Sequence, residues 1–394
     1  MTAILVVIYV VFISLGLPDS MFGVAWPVLG GEFGLPEGFA SVYSTIVGVC
    51  TGGASFVAGA VIRKFGTPLV SLFSIILTAV GLVGVSFSPN IWVMTFFAVV
   101  LGYGAGAIDT GLNNYVSLHY KARHMNWLHC FWGVGVTSSP MIMSLFLNGE
   151  AGAWRNGYRV IAALELLIAA LVLIALKKWR SFDTPGVGYT TDEQKKTGEK
   201  VNILKMPGLF PSILSLGFYC SMEFILGTWG ASYLVNVFSL GADIAARYVS
   251  MFFGGIMIGR FITGFVSIKV PDRTIIRGGL ALILCGIAVL FVPHRAAVIP
   301  GLLLFGTGCG PIFPSMLHCV PERFGIEYSA DITGFHMGGA YATGFAVQLA
   351  FGFTAAATTF RIMPFVLVGL CVLCIIMNET GINIIKQAGP EKKK

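Results

Sequence analysis

Twelve apolar stretches, each long enough to cross a lipid bilayer as a helix, run the length of this 394-residue chain. The hydrocarbon core is about 30 Å thick, so a spanning helix needs about 20 predominantly apolar residues. Backbone polar groups in hydrocarbon must be satisfied within the segment, which long runs achieve as helices. The stretches are Ala3–Leu29, Ala40–Ile62, Pro68–Phe87, Ile91–Leu118, Trp127–Leu147, Tyr158–Leu176, Leu209–Val235, Ala245–Ile268, Ile275–Val292, Ala297–Val320, Ile332–Ala357 and Arg361–Met377. Only 11% of residues are charged, against about 25% in soluble domains. That is too little charge to coat a soluble surface, and a lipid-facing one needs none. The sequence therefore predicts an all-α, multi-pass membrane protein. The first stretch has no basic segment before it and continues too far for a cleaved signal, so it is expected to be a retained helix.

The net charge of +7 raises the question of nucleic acid, and its placement answers it. With the N-terminus in the cytoplasm, nineteen Lys and Arg fall in cytoplasmic loops and tails and five in external ones. The first set holds Arg63, Lys64, Lys121, Arg123, seven residues of a polar linker, Lys269, Arg273, Arg277, Arg323, Lys386 and Lys392–Lys394. The second holds Arg155, Arg159, Arg247, Arg295 and Arg361. This asymmetry predicts both termini in the cytoplasm of a cell (inner or plasma) membrane. The basic excess is then a topology signal, and no nucleic-acid partner is expected. Arg260 alone lies deeper in a stretch than its end turns, where pairing with Asp272 or Asp331 is expected. The eight cysteines form no disulfide framework, and Cys371-x-x-Cys374 lies on an apolar helix, where packing is the expected role.

The polar linker divides the chain into six helices, residues 1–176, a cytoplasmic linker, 177–206, and six more helices with a basic tail, 207–394. The halves match at an offset of 204 residues. Gly102-x-Gly104-x-Gly106-x-Ile108 meets Gly306-x-Gly308-x-Gly310-x-Ile312; Asp19 and Gly23 meet Glu223 and Gly227; Phe131-Trp132 and Gly135 meet Phe335-His336 and Gly339. The glycine strings lack the strand and βαβ setting of a dinucleotide site and are read as close helix packing. Parallel six-helix repeats place a binding site between them near the bilayer midplane.

A charge in hydrocarbon costs about 2.5–3.5 kcal/mol on insertion scales, so acids retained there point to a cavity. Asp19 follows Pro18 in the first helix; it is read as a protonatable or cation-binding carboxylate, with a local helix cap as the alternative. Asp109 and Asn113 share a helix face, with Asn114 beside them, and together offer the acceptors and donors a polyol needs. Interhelical glue is the alternative. Glu223 mirrors Asp19 in the repeat, and His336 takes the place of Trp132. His129 and Trp132 share a face, and an indole can cover the apolar face of a sugar ring. Trp26, Trp229, Tyr341 and Gln348 are further candidates for the lining, and Glu165 is a mid-helix acid of open role. No Walker A sequence, nucleophile elbow or H-E-x-x-H site is present, so no cofactor or enzymatic activity is expected.

At these residues the chain resembles known families. Gly59-x-x-x-Arg63-Lys64-Phe65-Gly66 resembles the loop motif of the major facilitators, with Arg63 at its usual acidic position. Gly104-Ala105-Gly106-Ala107-Ile108-Asp109-Thr110-x-x-Asn113-x-Tyr115-Val116 resembles the fourth helix of the fucose:proton symporter family. Trp127-Leu128-His129-Cys130-Phe131-Trp132-Gly133-Val134-Gly135 with Pro140 is similar to the branch with sodium-dependent glucose transporter-like proteins. The fucose symporter has Gln and Asn where this chain has His129 and Trp132. The resemblance implies twelve transmembrane helices in two pseudo-symmetric six-helix bundles, and a monomer. It also implies proton coupling at Asp19, and sugar binding with coupling at Asp109.

The combined expectation is a secondary transporter, a proton- or sodium-coupled symporter of a hexose-like monosaccharide working by alternating access. Asp109, Asn113, Asn114, His129 and Trp132 would line the site from the first half, Glu223 and His336 from the second. Asp19, Asp109 and Glu223 would carry coupling. An antiporter of amphiphilic compounds and a non-transporting sugar sensor are the alternatives.

Overall fold

The computed structural model describes residues 2–120, 122–147, 149–182, 203–292, 294–325 and 329–388. Most of the linker (183–202), Lys121 and the Lys392–Lys394 tail lie outside them, as do the side chains of Thr110, Asn114, Arg123 and Asp331. The chain is built from helices, and no strand is present among the described residues. The first half holds α1 (Thr2–Asp19), α2 (Met21–Glu32), α3 (Phe39–Phe65), α4 (Thr67–Phe87), α5 (Ile91–His119), α6 (Ala122–Ser144) and α7 (Trp154–Arg180). The second holds α8 (Leu209–Phe238), α9 (Ala242–Val266), α10 (Asp272–Leu290), α11 (Arg295–Cys309), α12 (Ile312–His318), α13 (Val320–Phe324), α14 (Ser329–Ala357) and α15 (Met363–Gln387).

Ten helical spans among the described residues are long and apolar enough to cross a membrane. The other two expected crossings fall on α3 and α6, of 27 and 23 residues. Two expected single helices are broken. The first parts at Ser20, just after Pro18, into α1 and α2. The tenth parts at Gly310-Pro311, because proline offers no N–H to the preceding turn and clashes with it. Helix α7 runs through Arg180, four residues into the segment expected as linker. Lys177, Lys178 and Arg180 occupy its last turn, where cations complement the exposed carbonyls.

The repeat reappears as packing. A Cβ on Gly102 or Gly106 would strike the backbone of α3 at Val47 and Thr51, and one on Gly104 would strike α4 at Ser74 and Thr78. Their counterparts Gly306 and Gly310 face α9 at Phe252 and Ile256, and Gly308 faces α10 at Gly279 and Ile283. Alternate glycines thus let one helix touch two neighbours backbone to backbone, in both halves. With no hydrophobic drive between helices in lipid, such contact supplies the packing energy. Outward faces carry exposed apolar side chains, among them Leu167, Leu173 and Ile174 on α7 and Phe261 and Ile268 near the end of α9. Polar ties secure the ends. Glu32 joins Trp154 and Arg155 to the end of α2, and Glu379 on α15 holds Arg273 and Arg277 of α10.

The halves meet along α2–α8, α3–α14 and α6–α9. The first two seams lie toward the membrane face away from the termini. Gly23 abuts Gly227 and Thr228, Gly352 abuts Ser41 and Trp229, and Ser232 donates to Glu37 at 3.5 Å. The α6–α9 seam runs through the middle, where Ser250 Oγ donates to the Thr137 carbonyl at 2.7 Å.

Candidate functional site

Exposure along the seam between the halves changes in one direction. Toward the far end, Trp26, Trp229 and Gln348 are buried. Farther in, Glu223 and Tyr341 are half-buried, as are Asp109, Asn113 and His129 on the termini side, and Asp19 is exposed. The halves are therefore closed at the far end and parted by a cleft toward the end that carries the termini.

Asp19 owes its position to the α1–α2 break. Its carboxylate accepts a 2.8 Å hydrogen bond from the Trp132 indole nitrogen, joining α1 to α6. Gly16 and Gly135 allow this approach, since a Cβ on either would collide with the backbone of the opposite helix. On α5, Asn113 donates to the Asp109 carboxylate at 2.7 Å and to the Asp109 carbonyl at 3.0 Å. Across the cleft, Tyr219 donates to Glu223 at 2.5 Å and also lies 3.1 Å from the Cys309 carbonyl. Asp109 and Glu223 are both within electrostatic reach of Asp19. The structure thus brings three expected acids, Asn113 and Trp132 to one region, and Asn114 sits on the same stretch of α5.

Of the other expected residues, His129 and Tyr341 lie beside this group and the rest stand apart. His129 faces Phe12 edge-on at 5.8 Å, beside the Asp19–Trp132 contact. His336, unlike its repeat mate Trp132, is buried; its Nδ1 lies 2.9 Å from the Ile332 carbonyl of its own helix, near Phe324. Trp26 stacks among Phe22 and Phe39, and Trp229 packs on Phe360. Gln348 donates to Thr228 at 2.9 Å in the closed end. Tyr341 stacks on Phe224 in the second-half wall.

The structure corrects one of the two pairings expected of Arg260, the side chain of Asp331 lying outside the described residues. Asp272 is taken by His318 at 2.6 Å and does not pair with Arg260. Instead the Arg260 guanidinium lies 4.6 Å from the Trp132 ring centre, reaching from α9 across the seam. Its being the one arginine or lysine deeper in an apolar stretch than the end turns was the available signal. Tyr219 was missed as well, although it lies one helical turn before Glu223. Glu165 is fully buried and accepts from Ser14 at 2.5 Å and Thr78 at 3.3 Å, which ties α7 to α1 and α4.

A family model described as Major Facilitator Superfamily matches residues 8–349. The chain belongs to that superfamily. As a major facilitator it is a multi-pass membrane transporter, and the cleft lies where such proteins place their site. The glucose/mannose transporter GlcP of Bacillus subtilis is 25% identical over 296 residues, 70% of each chain. A bacterial homologue of the human lysosomal transporter Spinster, inward-facing and occupied, superposes with a TM-score of 0.71 at 13% identity, covering 98% of this chain and 97% of that one. The Escherichia coli fucose:proton symporter FucP superposes with a TM-score of 0.62 at 13% identity, covering 95% and 98%. These superpositions establish the major facilitator fold.

Proposed function

We propose that this major facilitator is a cation-coupled symporter of a hexose-like monosaccharide, with both termini cytoplasmic and the cleft opening inward in this form. The observation that carries the reading is the meeting of Asp19, Asp109 and Glu223 with Asn113 and Trp132 in the middle of the bilayer. Three intramembrane acids around one cleft are costly and give a cation something to bind. The Asp109–Asn113 face supplies acceptors and donors for hydroxyls, and Trp132 supplies an apolar platform. The similarity to a glucose/mannose transporter supports a sugar as cargo.

Transport follows if cation and sugar favour the same conformations, a differential affinity of a few kcal/mol. Asp19 carries the coupling ion, and the two halves rock about the site. In proteoliposomes, Asp19→Asn is expected to keep glucose counterflow and to lose accumulation driven by an imposed gradient. Imposing proton and sodium gradients separately identifies the ion. Undiminished accumulation in Asp19→Asn would remove the assigned role, and a wild type without counterflow of any monosaccharide would remove the cargo class.

A further inference from the structure

Arg260 is an intramembrane cation within electrostatic reach of Asp109 but paired with no acid among the described residues. It is 8% exposed, and its Nε is buried without a hydrogen-bond partner among the described residues. Its contact is the face of Trp132. That indole is fixed from two sides. Its nitrogen is held by Asp19, and the ring packs against the core of the first half. Arg260 therefore covers the face that would stack on a sugar.

We infer that Arg260 competes with the sugar for the face of Trp132: the guanidinium covers the indole in the empty site, and a bound hexose displaces it. The inference rests on the proposed sugar site. It makes Arg260 a specificity-determining residue, because only a ring able to take over the indole face can release it.

The surroundings fit such an exchange. The Arg260 backbone is held where Gly310 packs against it, so movement belongs to the side chain. In the stacked position a buried donor goes unmet, a state that an incoming acceptor improves. Asp109 feels the guanidinium charge directly, and Asp19 lies at the far edge of the same indole. A released guanidinium can thus exchange a cation–π contact for charge-assisted hydrogen bonds to a carboxylate or to sugar hydroxyls. Displacement by sugar also carries positive charge toward the acids from the second half to the first.

The test is a double-mutant cycle on thermal stability, using the full chain in nanodiscs with Arg260→Ala, Trp132→Leu and the pair, with and without saturating glucose. Coupling between the two positions is expected without sugar and is expected to vanish with it. Arg260→Ala is expected to bind glucose several-fold more tightly than wild type, as read by scintillation proximity. Arg260→Lys keeps the charge but loses the flat guanidinium, so it should fall between the two; it carries the same measurement if the alanine variant does not fold. Glucose binding weakened about tenfold in both folded variants would make Arg260 a direct ligand and overturn the competition. Coupling that persists unchanged in glucose would overturn it too. A wild type that binds none of a monosaccharide panel removes the sugar reading, and this inference with it; a wild type that binds while the cycle stays unchanged removes this inference alone.

Discussion

A single carboxyl group shows how much a residue depends on what faces it. Glu165 is an isolated acid in a run of leucine and alanine, with no polar neighbour on its own helix face. In the fold it meets two hydroxyls from other helices, while its Oε1 finds no partner among the described residues. Glu165→Gln preserves the shape and the acceptor, so it is expected to leave the melting temperature nearly unchanged. Glu165→Ala removes the acceptor for Ser14 and leaves a void, at a cost of about 2–4 kcal/mol. Differential scanning fluorimetry of the purified variants checks both. Arg260 teaches the same lesson. Its place inside an apolar stretch was legible, but its partner was not. Trp132 is 128 positions away in sequence, and nothing local distinguishes an indole from the loop acid Asp272 as its destination.

At the scale of elements, glycine spacing encodes which helices may touch. Gly106→Val places a side chain where the Thr51 carbonyl stands, and Gly306→Val does the same at Phe252. Both are expected to abolish the monodisperse peak in size-exclusion chromatography, and to similar degrees because the repeat uses the two sites alike. Gly278 on α10 faces open space. Gly278→Ala is therefore expected to be neutral or to stabilise by about 0.5–1 kcal/mol, through reduced freedom of the unfolded chain and better helix propensity. A large loss of folded protein would show a neighbour at that face. The broken helices were less legible. Pro18 and Pro311 are plain in the sequence, but proline sometimes only kinks a membrane helix, since neighbours can satisfy the freed backbone groups. Pro27 and Pro140 show this, for both lie inside unbroken helices.

At the scale of the molecule, the seam at the far end reads as a gate. Glu37, in the turn between α2 and α3, accepts from Ser232 of the other half. Burial pushes its carboxyl above the usual carboxylate range, and the Trp26 and Ser232 donors oppose this without cancelling it. A raised value in the closed form means that the neutral acid favours closure. That contribution is complete below the ordinary value and is lost as pH rises through the raised one. Spin labels at Gly31→Cys and Asn236→Cys, in a cysteine-depleted background, report the separation of the two halves at this end. Their distance distribution is expected to broaden toward longer values as pH rises, and to lose that dependence in Glu37→Gln. A profile identical in the two proteins would assign the gate to other groups.

Much of this whole was written in the chain. Apolar run length sets how many times it can cross a bilayer, because the hydrocarbon thickness is fixed. The 204-residue offset foretold that two glycine-rich helices would pack alike, since the same small residues permit the same approach. Asp19, Asp109 and Glu223 were legible as candidates because a charge in hydrocarbon is costly wherever it sits. Tertiary structure decided which of them converge, which face of Trp132 is covered, and that His336 is buried while Trp132 is only half-buried. Those outcomes depend on helix rotation and on contacts between residues more than a hundred positions apart. Hydrophobic periodicity is nearly blind to such rotation in a helix that is apolar on every side.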